Sequence, residues 1–322
     1  MEEGSFKKEE GEELQEMGRI ESEEKKSKLF TLQCKNVHSE LYGRVVKLVA
    51  LTKENVAKVE AMIRTDSAYR KAFDENACPI RKRVGGFDLD NITLTRCFSY
   101  EYPENTNQTQ FELKYGGSTA YWMRQIKEKC EDNPERRLSS IRYLIGGVVW
   151  AIDRENSTHL NAGVNGRRTL VRRIVNECET FENLKERLQR DDMGENGLLQ
   201  QLARSINNER ANLSFASKFC HYASYYFLEG NERDRYSIFD NVVGKVLPCY
   251  LEQLNEGRRF DRYNEAVRLR NNFVNNGGPN NPVDYKLYHE GIGALLSKDE
   301  KQGISRNGFD HLVWYFHKGR DL

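Results

Sequence analysis

The spacing of hydrophobic residues divides the chain into two parts with different periods. From about residue 92 to 115, apolar and aromatic residues largely alternate with polar ones around the turn-like sequence at 103–107, which predicts a β-hairpin. After Gly117 the period becomes helical and remains so to the end. The pattern predicts one helix at about 53–70 and further helices at about 118–131, 134–153, 166–176, 180–190, 196–206, 214–228, 240–254, 261–273, 283–297 and 307–317.

These elements predict a mainly α protein, α+β overall, in which a smaller N-terminal part packs on a larger helical domain. We place the N-terminal α+β part, with its β-hairpin, at residues 29–117 and the helical domain at 118–322. Residues 1–28 are expected to be an acidic, disordered tail, because the first 27 contain ten Glu against five Lys or Arg and few large apolar residues. Since the whole chain has a net charge of +1, the remainder is basic and a polyanionic partner is permitted.

The composition also excludes several classes of protein. The longest apolar run, 145–152, is far shorter than the roughly 18 residues of a membrane-spanning helix, and the amino terminus lacks the apolar region of a secretory signal. We therefore expect no membrane association, no export, and a location in the cytoplasm, nucleoid or nucleus. The seven cysteines show neither a C-x-x-C motif nor Cys/His ligand spacing, so no metal is expected. Nucleotide-binding loops, zinc-protease motifs and the hydrolase nucleophile elbow are missing as well.

A lysine stands at an unexpected place in the most informative stretch, residues 196–254. An amphipathic helix ends before a polar turn, and a second helix follows with Ser214 as its expected N-cap. Lys218 projects beside the aromatic face of this second helix, which carries Phe215, Phe219, Tyr222 and Tyr226. Desolvation and the positive end of the helix both favour the neutral amine, the form that a lysine nucleophile requires.

An aspartate begins the next helix. Asp240 precedes the amphipathic run at 242–254 and is expected to be its N-cap. A carboxylate held by helix amides stays ionised and rigid, so it can stabilise a nearby positive charge or take a proton.

The order of helix, short turn, lysine-bearing helix, loop and aspartate-capped helix resembles the helix-hairpin-helix DNA glycosylases, most closely the 8-oxoguanine glycosylase branch. Residues 214–218 take the place of the hairpin and lysine, and residues 237–243 take that of the aspartate segment. The resemblance covers about 60 residues, with a weaker echo in the closing helix at 309–317. It departs from the family in two ways, since residues 209–214 contain no glycine and the interval from lysine to aspartate is somewhat long.

The resemblance implies a fold, a reaction and a partner. The helical domain would have the helix-hairpin-helix glycosylase fold and bind DNA without a cofactor. Lys218 would attack C1′ of a flipped, damaged or modified nucleotide such as 8-oxoguanine, form a Schiff base and then act as an AP lyase in base excision repair. Asp240 would support the oxocarbenium-like transition state.

Further residues are candidates for contact with DNA or the flipped base, although side chains of these types are more often solvated or part of a core. Positive charges at a helix start can meet phosphates, and aromatic rings can stack on a base. The candidates are Ser214, His221, Lys245, Arg167, Arg168, Trp314 and His317.

Two alternatives remain beside the repair glycosylase. One is a helix-hairpin-helix module that binds DNA or protein without chemistry, because a lone lysine usually reaches solvent and a lone aspartate is usually only a cap. The other is a glycosylase that removes modified bases from foreign DNA in defence. The presence of Lys218 and Asp240 together, in the order that the family shows, favours catalysis.

Overall fold

The computed structural model describes residues 32–65, 119–155, 163–204, 212–254, 261–274, 284–297 and 303–317. Its first elements are strands β1 (Cys34–Ser39) and β2 (Arg44–Val49), which pair antiparallel, and helix α1 (Lys53–Thr65). The sequence pattern predicted no strand in this hairpin, and the β-hairpin that it predicted at 92–115 lies outside the described residues. The described strands are six residues each, so their alternation is too short to stand out from the polar sequence around it.

The rest of the described chain is helical, which confirms the prediction of a mainly helical protein. Two short 3-10 turns interrupt the series, at Leu138–Ile141 and Gly230–Asp234. The helices are α2 (Thr119–Cys130), α3 (Arg142–Glu155), α4 (Gly163–Glu177), α5 (Phe181–Arg190), α6 (Leu198–Ala203), α7 (Leu213–Phe227), α8 (Asn241–Glu252), α9 (Asp261–Val274), α10 (Tyr285–Leu296) and α11 (Arg306–His317).

Short polar side chains set where several of these helices begin. Thr180 accepts a hydrogen bond from the amide of Asn183 at the start of α5, and Asp284 accepts one from Leu287 at the start of α10. At α11 the hydroxyl of Ser305 accepts from the amide of the residue three positions later. Each cap satisfies an amide that the helix leaves without a partner.

Helix α7 lies at the centre of the helical part. It packs against α2, α3, α5 and α6, and every residue from 215 to 224 is buried. A helix that is buried on all sides belongs to the core of a large domain. The polar side chains of α7 are therefore inside the protein, where each needs a partner or has a particular use.

The N-terminal hairpin is joined to the helical part through α8. The hydroxyl of Tyr250 lies 3.1 Å from both the amide and the carbonyl of Val49, and Ser39 donates a 2.7 Å hydrogen bond to the carboxylate of Glu252. Helix α1 packs against α11. Among the described residues, no helix has the length and apolar character needed to span a bilayer.

Candidate active site

The amine of Lys218 is inside the protein. The residue is only 6% exposed, on the second turn of α7, and Nζ donates a 3.3 Å hydrogen bond to Oγ of Ser214. Ser214 is not the N-cap that the sequence predicted, because α7 begins one residue earlier and Asn212 occupies the cap position. Burial lowers the pKa of Lys218, against the opposing effect of the Asp240 and Asp310 charges, and so shifts the amine toward its neutral form.

Asp240 is the N-cap of α8, as the sequence predicted. Its Oδ1 accepts hydrogen bonds from the amide of Val242 at 2.7 Å and from the amide of Val243 at 3.4 Å. Both donors lie at the positive end of the helix. The carboxylate is therefore held in one orientation, close enough to Lys218 for its charge to act on the amine.

The extended segment 236–239 connects the lysine helix to the aspartate helix, and hydrogen bonds hold it from two sides. Side chains of α7 and α10 bond to four successive backbone groups. From α7, Nδ1 of His221 donates a hydrogen bond to the carbonyl of Tyr236 at 2.9 Å, and Oγ of Ser217 accepts one from the amide of Phe239 at 2.9 Å. From α10, the hydroxyl of Tyr285 donates to the carbonyl of Ser237 at 2.7 Å, and the hydroxyl of Tyr288 donates to the carbonyl of Ile238 at 2.8 Å. The position of Asp240 relative to α7 is fixed by this clamp.

A third ionisable group, Asp310 of α11, belongs to the same cluster. The residue is half-buried, but its Oδ1 is sealed from solvent and has no hydrogen-bond partner among the described residues. Burial raises the pKa of Asp310 well above its usual range, the charge of Asp240 raises it further and that of Lys218 opposes the rise. The neutral form of the carboxyl group is thus favoured. Sequence reasoning missed it, although an aspartate between Phe309 and the apolar positions of α11 was a readable signal.

The contact between α7 and α11 explains why Asp310 and Lys218 come together. His221 bonds to Tyr236 through Nδ1, and its Nε2 lies 3.1 Å from the side-chain amide of Asn307 on α11. Burial lowers the pKa of His221, whereas its contacts with Tyr236 and Asn307 oppose that shift, and each ring nitrogen has an oxygen within hydrogen-bonding distance. Lys218 lies one turn before His221 on α7, and Asp310 lies one turn after Asn307 on α11. His221 therefore positions the two helices and is a satisfied core histidine.

The other predicted contact residues have varied surroundings. Lys245 is exposed on α8, and Trp314, which is half-buried against the core, follows Asp310 by four residues on the same face of α11. Arg167 forms a 2.6 Å ion pair with the buried carboxylate of Asp153, and Arg168 beside it is half-buried. His317 is buried, with Nε2 3.3 Å from the hydroxyl of Tyr250, toward β2. Of these residues, Lys245 presents a solvated positive charge.

A polar cavity of about 420 Å³ lies elsewhere, between the loop that follows α5, the 3-10 turn before segment 236–239, and helices α10 and α11. Lys218 and Asp240 are not among its lining residues, which carry charges of both signs. They are Asp191, Asp192, Met193, Asn231, Glu232, Asp234, Arg235, Lys286, His289, Glu290 and Arg306. The cavity is therefore separate from the lysine cluster.

No protein-family model, curated protein or solved structure matches this chain. Interpretation of the site accordingly depends on its own chemistry. Among the described residues, no group of histidine, cysteine, aspartate and glutamate side chains is arranged to hold a metal ion. The cluster combines a buried amine, a carboxylate fixed by helix amides and a carboxyl group whose neutral form is favoured, which together can carry out nucleophilic attack and proton transfer.

Proposed function

We propose that this chain is a DNA glycosylase with AP lyase activity, of the helix-hairpin-helix type, and that Lys218 is its nucleophile. The observation that supports this most strongly is the burial of the Lys218 amine beside Asp240, the aspartate that caps the following helix. The elements also follow the order of that family, because α6 and α7 are neighbours joined by a short connection and α7 leads through a single loop to α8.

In the proposed reaction, each group has one task. A modified base flips out of the duplex, and the neutral amine of Lys218 attacks C1′ as the bond to the base breaks. Asp240 stabilises the positive charge that develops on the sugar. The sugar ring then opens to a Schiff base with Lys218, and β-elimination cleaves the strand. DNA is the partner of this reaction.

The burial of Lys218 argues against a binding module without chemistry. A lysine that serves only to contact DNA or solvent would extend its ammonium into water, as Lys245 does. Burying an amine lowers stability, since its charged form loses hydration. A site retained for reactivity explains that cost, because the same desolvation favours the nucleophilic form.

Trapping with borohydride tests the proposal directly. Borohydride reduces a Schiff base between the protein and duplex DNA that contains an AP site, 8-oxoguanine or another modified base, which gives a covalent adduct visible on a denaturing gel. We expect an adduct with the wild-type chain and at least a thousandfold less, roughly, with Lys218→Gln. Lys127→Gln is the matched control, because it removes an exposed lysine on α2 that is not among the candidate DNA contacts, and it should trap normally. Failure of the wild-type chain to trap any of these DNAs would favour the binding module.

A second variant tests the role of Asp240 without removing the cap. Asparagine caps helices as well as aspartate does, so Asp240→Asn should preserve α8 while it removes the negative charge. We expect excision to slow by about 100- to 1,000-fold with little change in DNA binding. The panel of bases also separates repair from defence, since activity confined to 8-oxoguanine opposite cytosine would exclude a specialised role on foreign DNA.

A further inference from the structure

Lys218 and Asp240 have roles in the proposed reaction, and Asp310 has none. Its Oδ1 is sealed from solvent and has no hydrogen-bond partner among the described residues. A buried polar atom left in this state costs on the order of 1–3 kcal/mol, so such atoms are rare in native proteins and call for an explanation. A group that meets its partner only when substrate is bound would explain it.

The fold directs Asp310 to the reacting amine. The contact between His221 and Asn307 aligns one turn of α7 with one turn of α11, and the adjoining turns carry Lys218 and Asp310. The start of α11 is also fixed to the loop that leads to Asp240, because the carboxylate of Asp234 accepts a 3.1 Å hydrogen bond from the amide of Asn307. The three helices that supply Lys218, Asp240 and Asp310 are thus tied together at one place.

The two carboxyl groups have unlike surroundings. Asp240 accepts two amide hydrogen bonds at a helix start, whereas Oδ1 of Asp310 accepts none. Two carboxyl groups with such unlike environments are typical of an acid and its charged companion in an active site. The raised pKa of Asp310 agrees with this division, since it favours the protonated form of that carboxyl group.

We propose that Asp310 is the general acid of this site, which protonates the departing base and then accepts the surplus proton from Lys218. This inference rests on the glycosylase function proposed above. It adds a catalytic residue, and it makes the substrate a base that needs a proton in order to leave.

The proton and electron balance of the step closes within the site. The bond between C1′ and the base nitrogen breaks, and its electron pair stays with the base, which takes the proton of Asp310. The lone pair of the Lys218 amine forms the new bond to C1′, which gives a secondary ammonium. That ammonium passes one proton to the Asp310 carboxylate, so the acid is restored and the lysine remains attached to the sugar as an amine.

Two substrates separate this role from a structural one. DNA that already contains an AP site has no base to protonate, whereas DNA with a modified base requires the acid. For Asp310→Asn we expect base excision to fall by at least about 100-fold, while borohydride trapping on AP-site DNA stays within about tenfold of the wild-type rate. Lys218→Gln, by contrast, should lose both activities.

Variation of the leaving base gives an independent measurement. A base with electron-withdrawing substituents departs more easily without a proton, so the defect of Asp310→Asn should shrink as the base becomes a better leaving group. A purely structural defect would reduce excision of every base by the same factor. A thermal unfolding midpoint no lower than that of the wild-type chain would exclude a folding defect.

Each outcome of these experiments either supports or contradicts the role of Asp310 as the general acid. Selective loss of excision with a leaving-group dependence supports the acid, whereas equal losses on both substrates or undiminished excision would overturn it. If the wild-type chain forms no covalent adduct with AP-site DNA, the proposed function is wrong. The role of Asp310, which depends on that function, is then wrong as well. Trapping by the wild type together with unaltered excision by Asp310→Asn would leave the function standing and reject this inference alone.

Discussion

Asp191 and Asp310 are two carboxyl groups inside the same protein with opposite surroundings. Asp191, in the loop after α5, is 4% exposed, and its oxygens accept hydrogen bonds from the amides of Met193 and Leu199 and from the hydroxyl of Tyr236. Oδ1 of Asp310 accepts none from the described residues. Burial is therefore common to Asp191, which has a structural role, and to Asp310, the proposed acid. The number of hydrogen-bond donors around each carboxyl group distinguishes them.

The loop around Asp191 is shaped by that carboxylate. A Cβ on Gly197 would lie 2.0 Å from Oδ1 of Asp191, so only glycine allows the backbone to approach so closely. Met193 has a φ of 60°, a conformation that non-glycine residues adopt at a cost, and its amide donates to Asp191 at 2.7 Å. The strained backbone at Met193 thus allows its amide to form a hydrogen bond with the buried carboxyl group of Asp191.

Removal of the satisfied carboxylate should have the largest effect on stability. Asp191→Ala leaves the buried amides of Met193 and Leu199 without their acceptor, whereas the hydroxyl of Tyr236 keeps the carbonyl of Leu188, so we expect the free energy of unfolding to fall by about 3 kcal/mol. Denaturant titration followed by circular dichroism measures this. The neighbouring Asp192 is exposed, and Asp192→Ala should change the free energy by less than about 0.5 kcal/mol. Equal effects of the two variants would contradict the structural role of Asp191.

Loosening the clamp that connects the two regions should have an intermediate effect. Ser217→Ala leaves the amide of Phe239 without its acceptor, next to Asp240. We expect a loss of about 1.5 kcal/mol in the free energy of unfolding and slower excision, since the aspartate becomes less well positioned. Ser139→Ala, at an exposed position, is the control for both measurements. Excision at the wild-type rate in Ser217→Ala would mean that the clamp does not position Asp240.

The sequence predicted the parts of this arrangement that depend on local pattern. The periods of α2 to α11 and the cap at Asp240 can be read from residues close to one another, and the structure has most of them at nearly the expected positions. Helix α3 is an exception, because it begins at Arg142, after a 3-10 turn, and not at about residue 134. The association of Asp310 with Lys218 depends on how α7 and α11 pack, across about ninety positions of chain, and no short-range pattern encodes it. The burial of His221 and the ion pair of Arg167 are likewise products of tertiary packing.

Removal of the buried amine should stabilise the protein, in contrast to removal of Asp191. Burial lowers the pKa of Lys218 below that of an unfolded lysine. The charged amine is therefore less stable in the folded protein than in the unfolded chain, which lowers the free energy of unfolding at every pH at which the unfolded lysine is protonated. We expect Lys218→Met to raise the free energy of unfolding by about 1 kcal/mol near neutral pH. The gain should shrink as the pH rises through the ordinary pKa of lysine, because above that pKa neither the folded nor the unfolded state is charged at this residue. Denaturant titration across that range measures it, and a destabilised variant would show that the amine serves packing.

At acidic pH, replacement of the unsatisfied acid should give the smallest effect on stability, and the effect should depend on pH in the opposite direction. Below the ordinary pKa of aspartate, Asp310 is protonated in both the folded and unfolded states, so Asp310→Asn should leave stability almost unchanged. As the pH rises, the unfolded chain ionises while the folded carboxyl group keeps its proton, and the wild-type protein loses stability relative to the variant. The gain in Asp310→Asn should therefore grow from acidic to neutral pH, by about 1.4 kcal/mol for each pH unit over which the folded carboxyl group keeps a proton that the unfolded chain has lost. Unfolding curves at several pH values measure this trend. A gain that falls with rising pH would mean that Asp310 is ionised in the folded protein, and that it belongs with Asp191 and not with the reactive amine.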